Sequence, residues 1–474
     1  MLTFPLRVAG KTVAGIGTVI VRAPWTGEPV GLVHLGGEAD ADAAAGHAAT
    51  LFAATRKTAA FERKRWLRDI AEGVRREATM LAALIAEEAG KPITLARAEV
   101  ERGIATLELG AEEATRFHGE LLHLDVSAAT ATAQGLVERV PLGPVFALSP
   151  FNFPLNLVCH KLAPALALGV PVVLKPAPQA PLTALALAAI VEEAGLPRGM
   201  FQVLPCAIPV AEALARDERF PVLSFTGSAR VGFHLRALVP HKRVILELGG
   251  NAAAIVLADA DLAWAATCVV AGAFAYAGQV CIKTQRVYVE DAVYEPFVAD
   301  LVRRTRALTP LDPHDERAEL SCLIDVANAE RVDKWIDEAK ESGARVLLGG
   351  PRKGKVVPPT LLEIDREGEG LRVVDEEVFG PVLTIHRVGS RADAFRAANR
   401  GKYGLQAALF TRDTAAVDEA FEALSVGALI VNDRTTFRVD GMPYGGTRAS
   451  GSGREGVRYA MEDLTERKLL VRRR

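Results

Sequence analysis

Apolar positions recur at three- and four-residue intervals between Glu62 and Glu88, where Leu67, Ile70, Val74, Leu81, Leu84 and Ile85 alternate with charged residues. That period predicts an amphipathic helix, and Gly90 and Pro92 supply its stop signal. Further along, short β-rich runs at Val145–Leu148, Pro171–Leu174, Phe201–Leu204 and Val222–Phe225 are separated by alanine-rich helical stretches. The alternation predicts a parallel sheet with crossover helices. A second cycle has strands at Asn251–Leu257 and Gln285–Val289, a charged helix over 327–342, and strands at Arg345–Leu348 and Val382–Val388. The fold class is therefore α/β, with two units of related size.

Two segments fit neither unit. Glu120 to Arg139 alternates like a hairpin leaving the body, and Leu464 to Val471 ends the chain as another extended run. Edge strands of this kind seek a partner, which suggests an oligomer; two ordinary surface strands would show the same pattern. Val140 to His160 carries no Asp, Glu, Lys or Arg and is long enough to span a bilayer. Its five prolines and glycines (Pro141, Gly143, Pro144, Pro150 and Pro154) would break a continuous helix, so it reads as strand, loop and helix start. The N-terminus begins with strand-like runs at Leu6–Ala9 and Thr12–Val13 and shows no signal-peptide pattern.

Composition narrows the functional classes. A chain of 474 residues, half of them hydrophobic, can build two or three packed units. A net charge of −2 gives no reason to expect nucleic acid or an anionic membrane as partner, and the terminal Arg472, Arg473 and Arg474 read as a solvated end. The five cysteines, Cys159, Cys206, Cys268, Cys281 and Cys322, are odd in number and lack zinc-site spacing. No metal site or disulfide framework is expected, and a reducing cytoplasm suits such a chain.

Five short motifs carry candidate chemistry, and each also has an ordinary structural explanation. Leu223–Ser224–Phe225 runs into Thr226, Gly227, Ser228 and then Gly232, a strand feeding glycine and a hydroxyl into a helix start; that makes an anion site or a tight capped turn. Lys175 ends another strand, where a lysine can reach a ribose or phosphate bound across a parallel sheet or simply face solvent. Cys281, after Gly278–Gln279–Val280, is the candidate nucleophile, a role that requires access and a lowered pKa; buried packing accounts for most cysteines. Glu247, followed by Leu248, Gly249 and Gly250, is a carboxylate at a strand end that could activate water or cap a turn. Asn152, in the proline-fixed loop Ser149–Pro154, could lend its amide to an oxyanion hole or satisfy local backbone.

The order and joint presence of the motifs outweigh any one of them. SPFNFP, LKPA, FTGS, ELGGN, GQVC, EEVFGP and PYGG…SGSGREG follow one another, and Glu247 and Cys281 stand 34 residues apart. Together they resemble the aldehyde dehydrogenase superfamily from about Gly90 to the C-terminus. The resemblance implies a Rossmann-like cofactor domain (1–119 and 141–248), an α/β catalytic domain (249–445), and a small β oligomerisation arm with the C-terminal tail (120–140 and 446–474). It implies that Cys281 adds to the aldehyde to give a thiohemiacetal, that Asn152 and the Cys281 N–H hold the oxyanion, and that Glu247 activates the water that hydrolyses the thioester. NAD or NADP would be held by Lys175, Gly227, Ser228, Gly232, Leu248, Glu377 and Phe379. Phe151 stands where a tryptophan is common. Pro178 stands where many NAD-preferring members have a ribose-binding glutamate, so both cofactors are expected to work.

By the same resemblance Phe153, Val280, Ile282 and the loop 432–438, with Arg434 and Phe437, line the substrate pocket. Arg434 and Arg438 suit an anionic or hydroxylated substrate or else serve as structural ion pairs. The tail Val457–Glu462 resembles members that act on small hydroxy or anionic aldehydes such as lactaldehyde. The expected partner is a small aldehyde, and the expected assembly a homodimer or homotetramer. The rival readings are a coenzyme A-acylating dehydrogenase, a phosphorylating dehydrogenase, and a catalytically silent relative; Glu247 and Cys281 weigh against the first and last.

Overall fold

The computed structural model describes residues 2–365 and 370–473. Two sheets organise it. The first runs in the order Gly451–Ser452, Arg243–Glu247, Val222–Thr226, Val145–Leu148, Val172–Lys175, Phe201–Val203, Leu6–Val8, Lys11–Val13. Its five central strands are parallel, and the edge strands are antiparallel. Starting from Val145–Leu148, successive strands are laid down first on one side and then on the other. The order thus reverses between Val145–Leu148 and Val222–Thr226, and open α/β sheets bind ligands at such a point, beyond the carboxyl ends of the strands.

The second sheet has seven strands: Arg345–Leu348, Thr360–Glu363, Val382–Val388, Thr284–Glu290, Ala252–Val256, Gln406–Phe410 and Ala428–Val431. All pairings are parallel except at the Arg345–Leu348 edge. Both faces of its inner strands are mostly buried, as a sheet covered by helices on two sides requires. Only Leu248, Gly249, Gly250 and Asn251 join the last parallel strand of the first sheet to Ala252–Val256 of the second. Carboxyl ends of one sheet therefore approach amino ends of the other.

The predicted strands form within one or two residues of their expected ends. Glu62–Glu88 differs: the periodic run forms two helices, Ala60–Arg76 and Ala78–Ala89, broken at Glu77, whose backbone (φ −95°, ψ 11°) leaves the helical region. Both halves lie against the long helix Ile93–Glu113, and the bend lets each present its apolar face to that one partner. Gly90 ends the second half in the left-handed conformation (φ 64°), which glycine adopts without penalty. The hairpin expected at 120–139 pairs with the C-terminal run as a separate sheet: Thr465–Arg473, Ala133–Pro141 and Glu120–His123, all antiparallel. Arg472 is exposed, Arg473 donates to the Ala129 carbonyl at 2.9 Å, and Arg474 lies outside the described residues. Among the described residues no helix is long and apolar enough to cross a membrane.

Candidate active site

Cys281 sits just before the strand Thr284–Glu290, at the amino end of the second sheet. The chain reaches it through Tyr276 and Ala277 (both φ 52°) and Gly278 (φ 70°). Three consecutive left-handed residues, two of them not glycine, store strain of the kind held at functional sites. A Cβ on Gly278 would collide with the Gly380 carbonyl. Gly278→Ala is therefore expected to destabilise the fold by more than about 1 kcal/mol and to displace the Cys281 loop; a lowered melting temperature with reduced thiol reactivity is the check.

The strand Val145–Leu148 delivers Asn152, which is 4 % exposed. Its amide nitrogen donates to the Gln279 carbonyl at 2.9 Å, which ties it to the Cys281 loop and leaves one N–H for another acceptor. Gln279 itself is fixed by its side chain, which bonds Cys322 O and Ile324 N. The loop beyond Asn152 is anchored by a buried ion pair between Lys91 and Glu99, whose other oxygen accepts from the N–H groups of Leu155 and Asn156. The Lys91 ammonium lies 3.5 Å from the Phe153 ring centroid, and burial lowers its pKa to about 8 against the pull of Glu99.

Glu247 ends its strand fully enclosed. Neither carboxylate oxygen has a protein partner, and a Cβ on Gly445 would lie 3.0 Å from one of them. Burial, then the nearby charge of Glu455, push its pKa well above the usual carboxylate range, against Arg438, Lys161 and Arg454. Glu455 is held low despite its burial, because Arg438 pairs with it at 2.9 Å. The pKa values of two adjacent carboxyls are thus driven apart, Glu247 up and Glu455 down, the pattern found in acid–base sites. Gly445 follows Tyr444, whose hydroxyl is 2.9 Å from the Cys281 sulfur. Contacts through neighbouring segments thus link the thiol to the amide on one side and to the carboxyl on the other.

The lowered pKa expected of a nucleophile is not found at rest: burial pushes the half-buried Cys281 thiol up to about 12, opposed by the Tyr444 hydrogen bond. What distinguishes Cys281 from the other four cysteines, all buried free thiols, is its place.

The remaining expected residues fall into two groups around these contacts. Lys175 ends Val172–Lys175, with its ammonium 3.3 Å from the Pro176 carbonyl, and Pro178 is exposed just beyond. Ser228 is exposed and opens the helix Ala229–Leu238 without using its hydroxyl as a cap; Gly227 N–H donates to the Glu247 carbonyl at 3.0 Å. Gly232 is buried where a Cβ would strike Leu248, and Gly249 is small enough to admit the Glu377 carboxylate. Glu377 accepts from Gly250 N–H at 2.9 Å, and burial raises it to about 7 against that bond. Phe151 and Phe379 meet edge to face at 6.0 Å. A cation, an open helix N-terminus and a ring beyond the carboxyl ends of one parallel sheet, with a carboxylate and a second ring from the amino end of the other, fit a dinucleotide.

Of the residues expected at the substrate pocket, Phe153 and Val280 are half-buried, and Ile282 packs with Leu405 and Tyr444. Arg434 and Phe437 are exposed on their loop. Arg438 forms a structural ion pair with Glu455 at 2.9 Å, and its guanidinium also lies 2.9 Å from the His160 Nε2. Sequence reasoning missed Tyr444, Arg438 in its positioning role, Glu455, Lys161 and Lys91. Tyr444 and Glu455 lie inside the quoted PYGG…SGSGREG motif; Lys91 and Lys161 gave no signal beyond being charges in apolar surroundings.

The chain is similar to several known proteins. A 3-sulfolactaldehyde dehydrogenase from Priestia megaterium is 44 % identical over 391 residues, 82 % of each chain. The crystal structure of aldehyde dehydrogenase 21 from Physcomitrella patens, in complex with the reaction product succinate, superposes with a TM-score of 0.97 at 38 % identity, covering 100 % of this chain and 98 % of that one. An NADP-dependent glyceraldehyde-3-phosphate dehydrogenase from Bacillus halodurans, complexed with NADP, gives 0.96 at 33 % identity and 100 % coverage of both. With the family's own sequence pattern matched over residues 13–470, the chain belongs to the aldehyde dehydrogenase family.

Proposed function

We propose that the protein oxidises a small hydroxylated or anionic aldehyde to its carboxylic acid with NAD or NADP, with Cys281 as nucleophile, Asn152 as oxyanion donor and Glu247 as base. The observation that carries the reading is the convergence of these three groups: Asn152 is bonded to the Cys281 loop, and Glu247 touches the segment whose Tyr444 contacts the sulfur. In the first half-reaction the Cys281 thiolate forms a C–S bond to the carbonyl carbon, and the oxygen gains the negative charge. The remaining Asn152 N–H and the Cys281 backbone N–H stabilise that oxyanion. When bound, the oxidised nicotinamide supplies the hydride acceptor. In the second half Cys281 holds the acyl group as a thioester. Glu247 takes a proton from water, the hydroxide adds, the C–S bond breaks and the thiolate leaves. The unpartnered oxygens of Glu247 leave it free to bind that water.

Residues 1–119 and 141–248 serve as the cofactor domain in this reading, with Lys175, Gly227, Ser228, Gly232, Leu248, Glu377, Phe151 and Phe379 around the dinucleotide. Residues 249–445 carry the catalytic cysteine, and Phe153, Val280, Ile282, Arg434 and Phe437 line the pocket. Residues 120–140 and 446–474 form the arm and tail. The arm leaves Leu121, Leu469 and Val471 at least half exposed (67, 52 and 50 %), which supports docking on a second subunit in a homodimer or homotetramer. Five free thiols suit the cytoplasm. 3-Sulfolactaldehyde, the substrate named for the Priestia relative, is both hydroxylated and anionic.

An aldehyde panel with each cofactor, followed at the reduced-nicotinamide absorbance, tests the proposal. Exposed Pro178 offers no carboxylate to bind a ribose 2′-hydroxyl or repel a 2′-phosphate. The expected result is turnover of hydroxy or anionic aldehydes with kcat/KM for NAD and NADP within about tenfold, a gap of roughly 1.4 kcal/mol. No oxidation of any such aldehyde defeats the proposal, and a several-thousand-fold cofactor preference defeats its cofactor half.

A further inference from the structure

The hydroxyl of Tyr444 lies against the Cys281 sulfur at 2.9 Å, yet the reaction set out above gives it no task. The contact is built from several elements. Tyr444 is 4 % exposed and packs with Ile282 and Leu405 beside the thiol. The Arg438 guanidinium lies over its ring, 3.8 Å from the centroid. Arg438 is held in turn by Glu455, and Asp440 of the same loop is gripped by Arg102 through two hydrogen bonds of 2.7 and 3.0 Å. Buried charges on three separate segments thus fix the plane of one ring, and with it the position of one hydroxyl.

A phenol has one proton to donate, and a thiolate is an acceptor without a proton of its own. We infer that Tyr444 donates its hydroxyl hydrogen bond to the Cys281 thiolate and so favours the nucleophilic form, with Arg438 and Glu455 acting as positioning residues for the ring. On ionisation the S–H bond breaks and its proton passes to solvent, while the Tyr444 proton stays on its oxygen. The other charged groups that influence the sulfur are Glu377 and Glu455, which oppose ionisation, and Arg438, which favours it. Tyr444 is the group that touches it. A hydrogen bond to a charged acceptor is among the stronger kinds, enough to matter for a thiol this enclosed.

The inference rests on Cys281 being the nucleophile, and its test needs neither aldehyde nor cofactor. Iodoacetamide alkylation of the folded protein is followed against pH, with the labelled peptide identified by mass spectrometry. Tyr444→Phe keeps the ring and removes one oxygen. Its Cys281 should titrate about one pH unit higher than wild type and alkylate about tenfold more slowly near neutrality. Arg438→Lys keeps the charge and loses the flat guanidinium over the ring, so a smaller shift in the same direction is expected; it decides alone if Tyr444→Phe does not fold. A wild-type pH profile, or faster alkylation at every pH, overturns the inference. Wild-type labelling at another cysteine would instead overturn the choice of nucleophile.

Discussion

Cys281→Ala is expected to lose at least about 10⁴-fold in kcat for aldehyde oxidation while keeping its fold, as removal of a covalent nucleophile does elsewhere. The substitution deletes one sulfur from a half-buried position in a small apolar cluster, so the melting temperature should change little. No other thiol can take its place. Cys159, Cys206, Cys268 and Cys322 are buried, whereas Cys281 is half-buried. The check is reduced-nicotinamide formation beside a thermal melt; a folded variant retaining more than about one per cent of wild-type turnover would show that the thioester route is wrong.

Glu247→Gln is expected to separate the two half-reactions. Thioester formation does not need the carboxylate, so the variant should release about one equivalent of reduced nicotinamide per active site and then stall, with steady-state kcat about 10²- to 10⁴-fold lower. Because Glu247 titrates well above the usual carboxylate range, it is protonated and inactive as a base at low pH. Wild-type kcat should therefore rise with pH through that elevated pKa, and the glutamine variant should lack this rising limb. Stability should survive, since an amide of the same shape replaces a carboxyl whose charged form is disfavoured by burial. Stopped-flow traces with no burst, or an unchanged pH profile in the variant, would remove Glu247 from the role of base.

Tyr444 shows where reading by motif stopped. Its residues were in view within PYGG, but nothing local marks a hydroxyl that meets a sulfur 163 positions earlier in the chain. Arg438 could be read as a substrate cation or a structural one, and only the placement of Glu455 and His160 beside it separated the two. The titration of Cys281 was beyond reach for the same reason. A pKa depends on enclosure and on charges brought in from other segments, and here Glu377 and Glu455 arrive from distant parts of the chain.

By itself the amino-acid order determined the alternating strands and helices, the two α/β units, the two extended segments outside them, and the candidate trio Asn152, Glu247 and Cys281. These are legible because periodicity and turn chemistry act over a few residues, and because ordered motifs survive without knowledge of their spacing in space. Only the tertiary structure decided that the periodic run at 62–88 breaks at Glu77, that Lys91 and Glu99 pair beneath the Asn152 loop, and that burial raises Glu247 while Arg438 holds the adjacent Glu455 low. Each of these depends on which segments pack together and how much water they exclude, and burial and Coulomb energy have no counterpart in linear spacing.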